Sequence, residues 1–130
     1  MKSTIKNNAK TNEGIVKSGE FSYSRKARTI KAYGEEYQLP VKTIEFSDKL
    51  LAANDAIAKT TDARDTVSRI KSGIALFIGE DEANRIFPED NFDNIDIDEI
   101  LGFWLALNFE LSRSQNELIA RYSASRAMRV

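Results

Sequence analysis

One stretch, Ile97 to Leu111, constrains the fold of this 130-residue chain more than any other. It reads IDEILGFWLALNFEL and contains few polar residues. At 3.6 residues per turn, the stretch predicts a helix with two apolar stripes. The first stripe contains Ile97, Ile100, Trp104, Leu107 and Leu111, with Phe103 at its edge. The second stripe contains Leu101, Leu105 and Phe109.

A helix with this much apolar surface cannot lie on the outside of a small domain with both stripes open to water. The residues alone leave two interpretations. In the first, the helix is the centre of the core and the chain covers both stripes. In the second, the first stripe forms the core and the second stripe binds another chain.

The rest of the chain predicts an α+β fold that is mainly helical, with a short N-terminal β-hairpin followed by four to five α-helices. The hairpin turns at Gly34, because glycine supplies the positive φ that a tight turn requires. Helical periodicity and capping residues place the helices at about 43–58, 62–78, 80–87, 97–111 and 115–126. Gly73, in the middle of the second of these helices, predicts a close approach by another helix.

Local capping signals mark the boundaries of the central helix. Residues 88–96 are expected to form a loop, and Asp96 is expected to cap the helix with Glu99 in a capping-box arrangement. A second capping box, Ser114-x-x-Glu117, predicts a kink or a new helix start after Leu111.

Charge is distributed unevenly along the chain. Residues 1–33 contain eight Lys and Arg and two Glu, whereas the remainder contains eleven Lys and Arg and eighteen Asp and Glu. We expect residues 1–28 to be a flexible basic N-terminal extension and residues 29–126 to be a single mainly helical domain with an N-terminal β-hairpin. The basic segment would either be a solvated tail or contact an acidic surface, including that of another copy.

The composition argues against an enzyme. The chain has no histidine and no cysteine, which removes the commonest general base, the thiol nucleophile and the usual transition-metal ligands. The six glycines form no phosphate-binding loop, and the acidic residues between 80 and 99 do not match the spacing of a calcium loop. We expect no catalytic residue, no cofactor and no metal.

The same reasoning limits the partners. No apolar run approaches the roughly 18 residues that span a bilayer, and no secretory signal is visible, so we expect a cytoplasmic protein without a membrane segment. Basic residues between Tyr23 and Tyr33 could form a small nucleic-acid patch, but the body is acidic and no known binding module is visible. Protein partners are therefore expected.

Three segments resemble a known family. They are TIKAYGEEYQLPVKTIEFSDKLLAAND from Thr29, RIKSGIALFIGEDEANRIF from Arg69, and NIDIDEILGFWLALNFEL from Asn94. Together they are similar to the small tail assembly chaperones of long-tailed phages and prophages that infect Gram-positive bacteria. The resemblance covers about residues 29–122, and residues 1–28 are a longer extension than the family pattern has.

The resemblance implies a non-enzymatic assembly factor. Such proteins bind the tape measure protein, keep it soluble and recruit tail tube subunits, and we expect homo-oligomers. The candidate partner-binding residues are Leu101, Leu105, Phe109, Ile119 and Tyr122. The alternative is a small helical adaptor or regulator that binds another protein, or that binds nucleic acid through its basic N-terminal arm.

Overall fold

The computed structural model describes Gly19, Phe21 and the backbone of residues 28–129, together with the side chains of residues 28–113, Ile119 and Ala120. The predicted fold class is confirmed: the described part is mainly helical and begins with a two-stranded antiparallel hairpin. Its elements in chain order are β1 (Thr29–Ala32), β2 (Glu35–Gln38), α1 (Ile44–Ala58), α2 (Ala63–Ile78), α3 (Glu80–Ile86), a 3₁₀ helix (Glu89–Asn94) and α4 (Ile97–Arg129).

The chain divides into two compact units. The first comprises residues 27–112 and contains the hairpin, α1, α2, α3, the 3₁₀ helix and the N-terminal half of α4. The second comprises residues 1–26 and 113–130, of which the structure describes Gly19, Phe21 and the helical residues 113–129. Almost all of the extension predicted at residues 1–28 lies outside the described residues.

The hairpin turns at Tyr33 and Gly34, as the sequence predicts. Both residues have positive φ, 55° and 82°, so the two-residue turn matches the twist of the strands. A tyrosine rarely adopts this conformation, and here its side chain is held by tertiary contacts. The Tyr33 ring packs edge-on against Phe87 and Phe103, with centroids 6.0 and 5.2 Å away. Aromatic packing therefore stabilises a turn that the backbone alone disfavours.

Local capping fixes where the first two helices begin. The Thr43 hydroxyl accepts the backbone N–H of Phe46 at 3.1 Å, and Asp62 accepts that of Asp65 at 2.8 Å. Gly79, with φ of 94°, ends α2 and precedes α3. These bounds confirm the predicted helices to within a residue. The prediction succeeds because each capping residue acts on backbone groups a few residues away.

The core lies between α2 and α4, and the contact of Trp104 with Gly73 is at its centre. A Cβ built on Gly73 would lie 2.6 Å from Trp104 Cζ3, so only glycine admits the indole. The close approach predicted at Gly73 is confirmed. The buried apolar side chains of the cluster are Leu39, Val67, Ile70, Ile74, Phe77, Ala83, Phe87, Ile100, Phe103, Trp104, Leu107 and Leu111.

Helix α1 packs more shallowly than α2. None of its residues is buried, and Phe46, Leu50, Ala53 and Ile57 are partly buried against the core. The ring of Phe46 contacts that of Phe77 edge-on, with centroids 5.5 Å apart. Ile44 and Leu51 lie on the opposite side and are exposed.

Three local predictions about α4 and its approach were wrong. The helix is continuous from Ile97 to Arg129, without the restart expected at Ser114. Within this continuous stretch the Ser112 hydroxyl donates to the carbonyl of Asn108, one turn earlier, at 2.9 Å. Ile97, expected in the first stripe, is 46% exposed, since it occupies the first turn beyond the core. Most of the expected loop at 88–96 is a 3₁₀ helix.

Candidate partner-binding face

The rotation of α4 is fixed at its start by two kinds of contact. Asp96 Oδ1 accepts the backbone N–H of Asp98 at 2.9 Å and that of Glu99 at 3.3 Å, which caps the helix. The hydroxyl of Tyr33 donates to Glu99 Oε2 at 2.8 Å. Glu99 therefore binds the hairpin, and its carboxylate does not close the expected capping box. With Trp104 seated on Gly73, these contacts turn the first apolar stripe inward.

The second stripe consequently faces outward. Leu101, Leu105 and Phe109 are 37%, 57% and 65% exposed. We call these three residues the α4 apolar face. In the single chain they are not part of the core, so the first interpretation of the helix, with both stripes covered by the chain, does not hold. Their role in binding a partner stays a prediction.

The α4 apolar face is flanked by small residues. Gly102 and Ala106 are exposed, and a Cβ built on Gly102 would meet nothing within 4 Å. At the border with the core, the side-chain amide of Asn108 donates to the carbonyl of Trp104 at 2.8 Å. The side-chain amide of Asn108 thus has a hydrogen-bond partner within the helix. The small residues leave room for another helix to approach closely.

The other two candidate residues belong to the second unit. Ile119 is exposed. The side chain of Tyr122 lies outside the described residues. The candidate site is therefore described by three of its five predicted residues. Asp98 and Gly102, which share their side of α4, were missed, although their helical spacing from Leu105 and Phe109 could have indicated them.

A cleft with a volume of about 700 Å³ lies between α2, α3 and the 3₁₀ helix. Lys71 is buried in its wall, with Nζ 3.4 Å from Glu89 Oε1. Arg64 pairs with Asp93 and lies over the ring of Phe92, 5.3 Å from its centroid. Among the described residues, no cluster of His, Cys, Asp or Glu has the geometry to hold a metal ion. The ion pairs of this cleft tie the 3₁₀ helix to α2.

The groups with displaced pKa values attach the hairpin to the helices. The Tyr37 hydroxyl donates to Glu82 Oε1 at 2.6 Å and accepts from Arg85 Nη2 at 2.9 Å. Burial, followed by the hydrogen bond to Glu82, raises the pKa of Tyr37. The hydrogen bonds from Tyr37 and Arg85 lower the pKa of Glu82. Burial and the contact with Glu99 raise the pKa of Tyr33. Each displaced group thus has a structural partner.

In the part of the chain that the structure describes, no helix is both long enough and apolar enough to cross a bilayer. Comparisons of the chain with family models, curated proteins and solved structures found no match.

Proposed function

We propose that this chain is a tail assembly chaperone of a long-tailed phage or prophage, a binding protein rather than an enzyme. It binds the tape measure protein, keeps that protein in solution and helps to recruit tail tube subunits during tail assembly. It acts in the cytoplasm of the host cell and forms homo-oligomers. The observation that carries the proposal is the α4 apolar face, exposed on a helix whose other side is buried.

The physical argument concerns what such a face can bind. An amphipathic helix of a client can place its own apolar stripe against Leu101, Leu105 and Phe109, as in other helix-in-groove complexes. Full burial of a large apolar side chain is worth about 1.5–3 kcal/mol, and these residues retain part of that gain for a partner. A tape measure protein, a long series of amphipathic helices, presents many such stripes.

The fold supplies a second line of support. The resemblance implies a glycine-turn hairpin followed by helices, and the described part has that arrangement. The hairpin packs on α3 and α4 through Tyr33 and Tyr37, so it stabilises the helix that presents the α4 apolar face. In this proposal the hairpin is a structural support and α4 is the binding element.

The test is co-expression of this chain with a phage tape measure protein as the client. The full-length chain is expected to move most of the client from the pellet into the soluble fraction. The α4 double variant, Leu105→Glu with Phe109→Glu, is expected to lose this effect, because burying two carboxylates under the apolar stripe of a client costs desolvation free energy. Its helical circular dichroism is expected to be retained, because both positions are exposed in the chain.

The matched control is the α1 double variant, Ile44→Glu with Leu51→Glu. It places two carboxylates on another exposed apolar surface and is expected to keep the client soluble. Equal client solubility with the α4 double variant and the unaltered chain would contradict the proposal. So would a client that is no more soluble with the chain than without it.

The adaptor alternative is favoured by the charge of the N-terminal segment, where residues 1–33 hold eight Lys and Arg against two Glu. A regulator that binds nucleic acid through this segment would lose affinity steeply as salt rises. Titration of the full chain against a DNA duplex at 50 and 200 mM salt separates the two functions. Strong, salt-sensitive binding that the α4 double variant retains would support the alternative.

A further inference from the structure

The N-terminal end of the α4 apolar face is acidic, and the first basic residue after it in α4 is Arg113. From Asp96 to Ser112 the chain has four carboxylates, Asp96, Asp98, Glu99 and Glu110, and no Lys or Arg. Asp98 is exposed and lies on the same side of the helix as Leu101 and Leu105, because three and seven residues separate them. Within the part of the chain that the structure describes, Asp98 has no ion-pair partner. The α4 apolar face thus has the exposed carboxylate of Asp98 at its N-terminal end.

The helix dipole offsets only part of this charge. The N-terminus of a helix carries a partial charge of roughly +0.5, whereas three carboxylates lie within its cap and first turn. The local potential at this end of the face is therefore negative. It repels acidic partners, including anionic membranes and nucleic acid, and it attracts basic ones.

We propose that the partner segment bound by the α4 apolar face is an amphipathic helix with Lys or Arg beside its apolar stripe, placed over the first turn of α4. This inference rests on the proposed function, since it takes the same face as the client-binding surface and adds the chemistry of the client segment. Apolar contact supplies affinity, and the charge selects which amphipathic helices bind and which are rejected.

Gly102 contributes to the geometry of this complex. It lies between Asp98 and Ala106 on the exposed side of α4, and no atom of the described residues lies within 4 Å of a Cβ built there. A partner helix can therefore approach the backbone there closely enough to bring its basic side chains to Asp98. The approach also buries Leu101 and Leu105 on the same partner.

Two fluorescent peptides of about 18 residues, about 27 Å long as helices, test the inference against the full chain. Both carry the same leucine stripe, with Lys flanking it in one peptide and Glu in the other. Anisotropy titration at low salt is expected to show at least tenfold tighter binding of the Lys-flanked peptide. Asp98→Asn is expected to weaken that binding about threefold, whereas Asp48→Asn, the same change on α1, is expected to leave it unchanged.

Three results would overturn the inference. Equal affinity for the two peptides would remove the charge selection. Equal weakening by Asp98→Asn and Asp48→Asn would show attraction to net charge and not to this face. A chain that sediments as an oligomer dissociated by the α4 double variant would identify a second copy as the occupant. None of these decides the proposed function, which fails or stands on client solubility alone.

Discussion

At the scale of single residues, the two glycines of α2 and α4 have opposite surroundings. Gly73 faces the indole of Trp104, and an added methyl group would overlap it. Gly102 faces open space, and an added methyl group would touch no atom of the described residues. The same substitution should therefore have opposite effects at the two positions.

Gly73→Ala is expected to lower the free energy of unfolding by about 1–2 kcal/mol, because overpacking outweighs the gain in helix propensity. Gly102→Ala is expected to raise it by about 0.5–1 kcal/mol, because alanine reduces the entropy of the unfolded chain. Urea unfolding of both variants measures the difference. A neutral Gly73→Ala would mean that α2 and α4 are not held at the distance described here.

The hydrogen bond of Tyr37 should make stability sensitive to alkaline pH. The pKa of the Tyr37 hydroxyl is raised in the folded state. Its contribution to the free energy of unfolding is therefore fully present below the unfolded pKa of about 10, and it is lost as pH rises through the folded pKa. At pH 7, Tyr37→Phe is expected to lower the free energy of unfolding by about 0.5–1.5 kcal/mol. The difference between the two proteins should shrink when urea midpoints are compared at pH 7, 9, 10 and 11. A difference that stays constant over this series would contradict the assignment.

At the scale of elements, α1 and α2 differ in how deeply they are packed. Helix α2 buries six residues in its helical span, and α1 buries none. Local opening exposes less apolar surface in α1 and so costs less free energy. In hydrogen–deuterium exchange at pH 7, amides in the middle of α1 are expected to exchange at least tenfold faster than those around Ile70 and Ile74. Equal protection of the two helices would show that they open together.

The elements also show what could be read from the sequence and what could not. The starts of α1 and α2 were predictable because Thr43 and Asp62 act on backbone groups three residues away. The unbroken course of α4 was not, because a serine can either cap a new helix or bond back to the preceding turn. Ser112, two residues before the predicted cap at Ser114, makes the second kind of bond, to the carbonyl of Asn108. The side chain of Ser114 itself lies outside the described residues. The sequence pattern does not show which of the two kinds of bond a serine will make.

At the scale of the whole molecule, the candidate face follows from how the first unit is assembled. Periodicity separates the two stripes of α4, but it does not say how many neighbouring elements the chain has to cover them. Helices α2 and α3 and the hairpin cover the side with Trp104, and Phe109 on the other side remains 65% exposed. Its exposure depends on the positions of all these elements, so it required the three-dimensional structure.

The central claim is that the α4 apolar face is surface in the folded chain and is open to a partner. The most direct test is the free energy of unfolding of the purified α4 double variant, Leu105→Glu with Phe109→Glu, measured by urea titration beside the unaltered chain. The account predicts a change within about 1 kcal/mol and an unaltered circular dichroism spectrum, as for exposed positions. A loss of about 4 kcal/mol or more, or an unfolded variant, would mean that the stripe belongs to the core and would contradict the account.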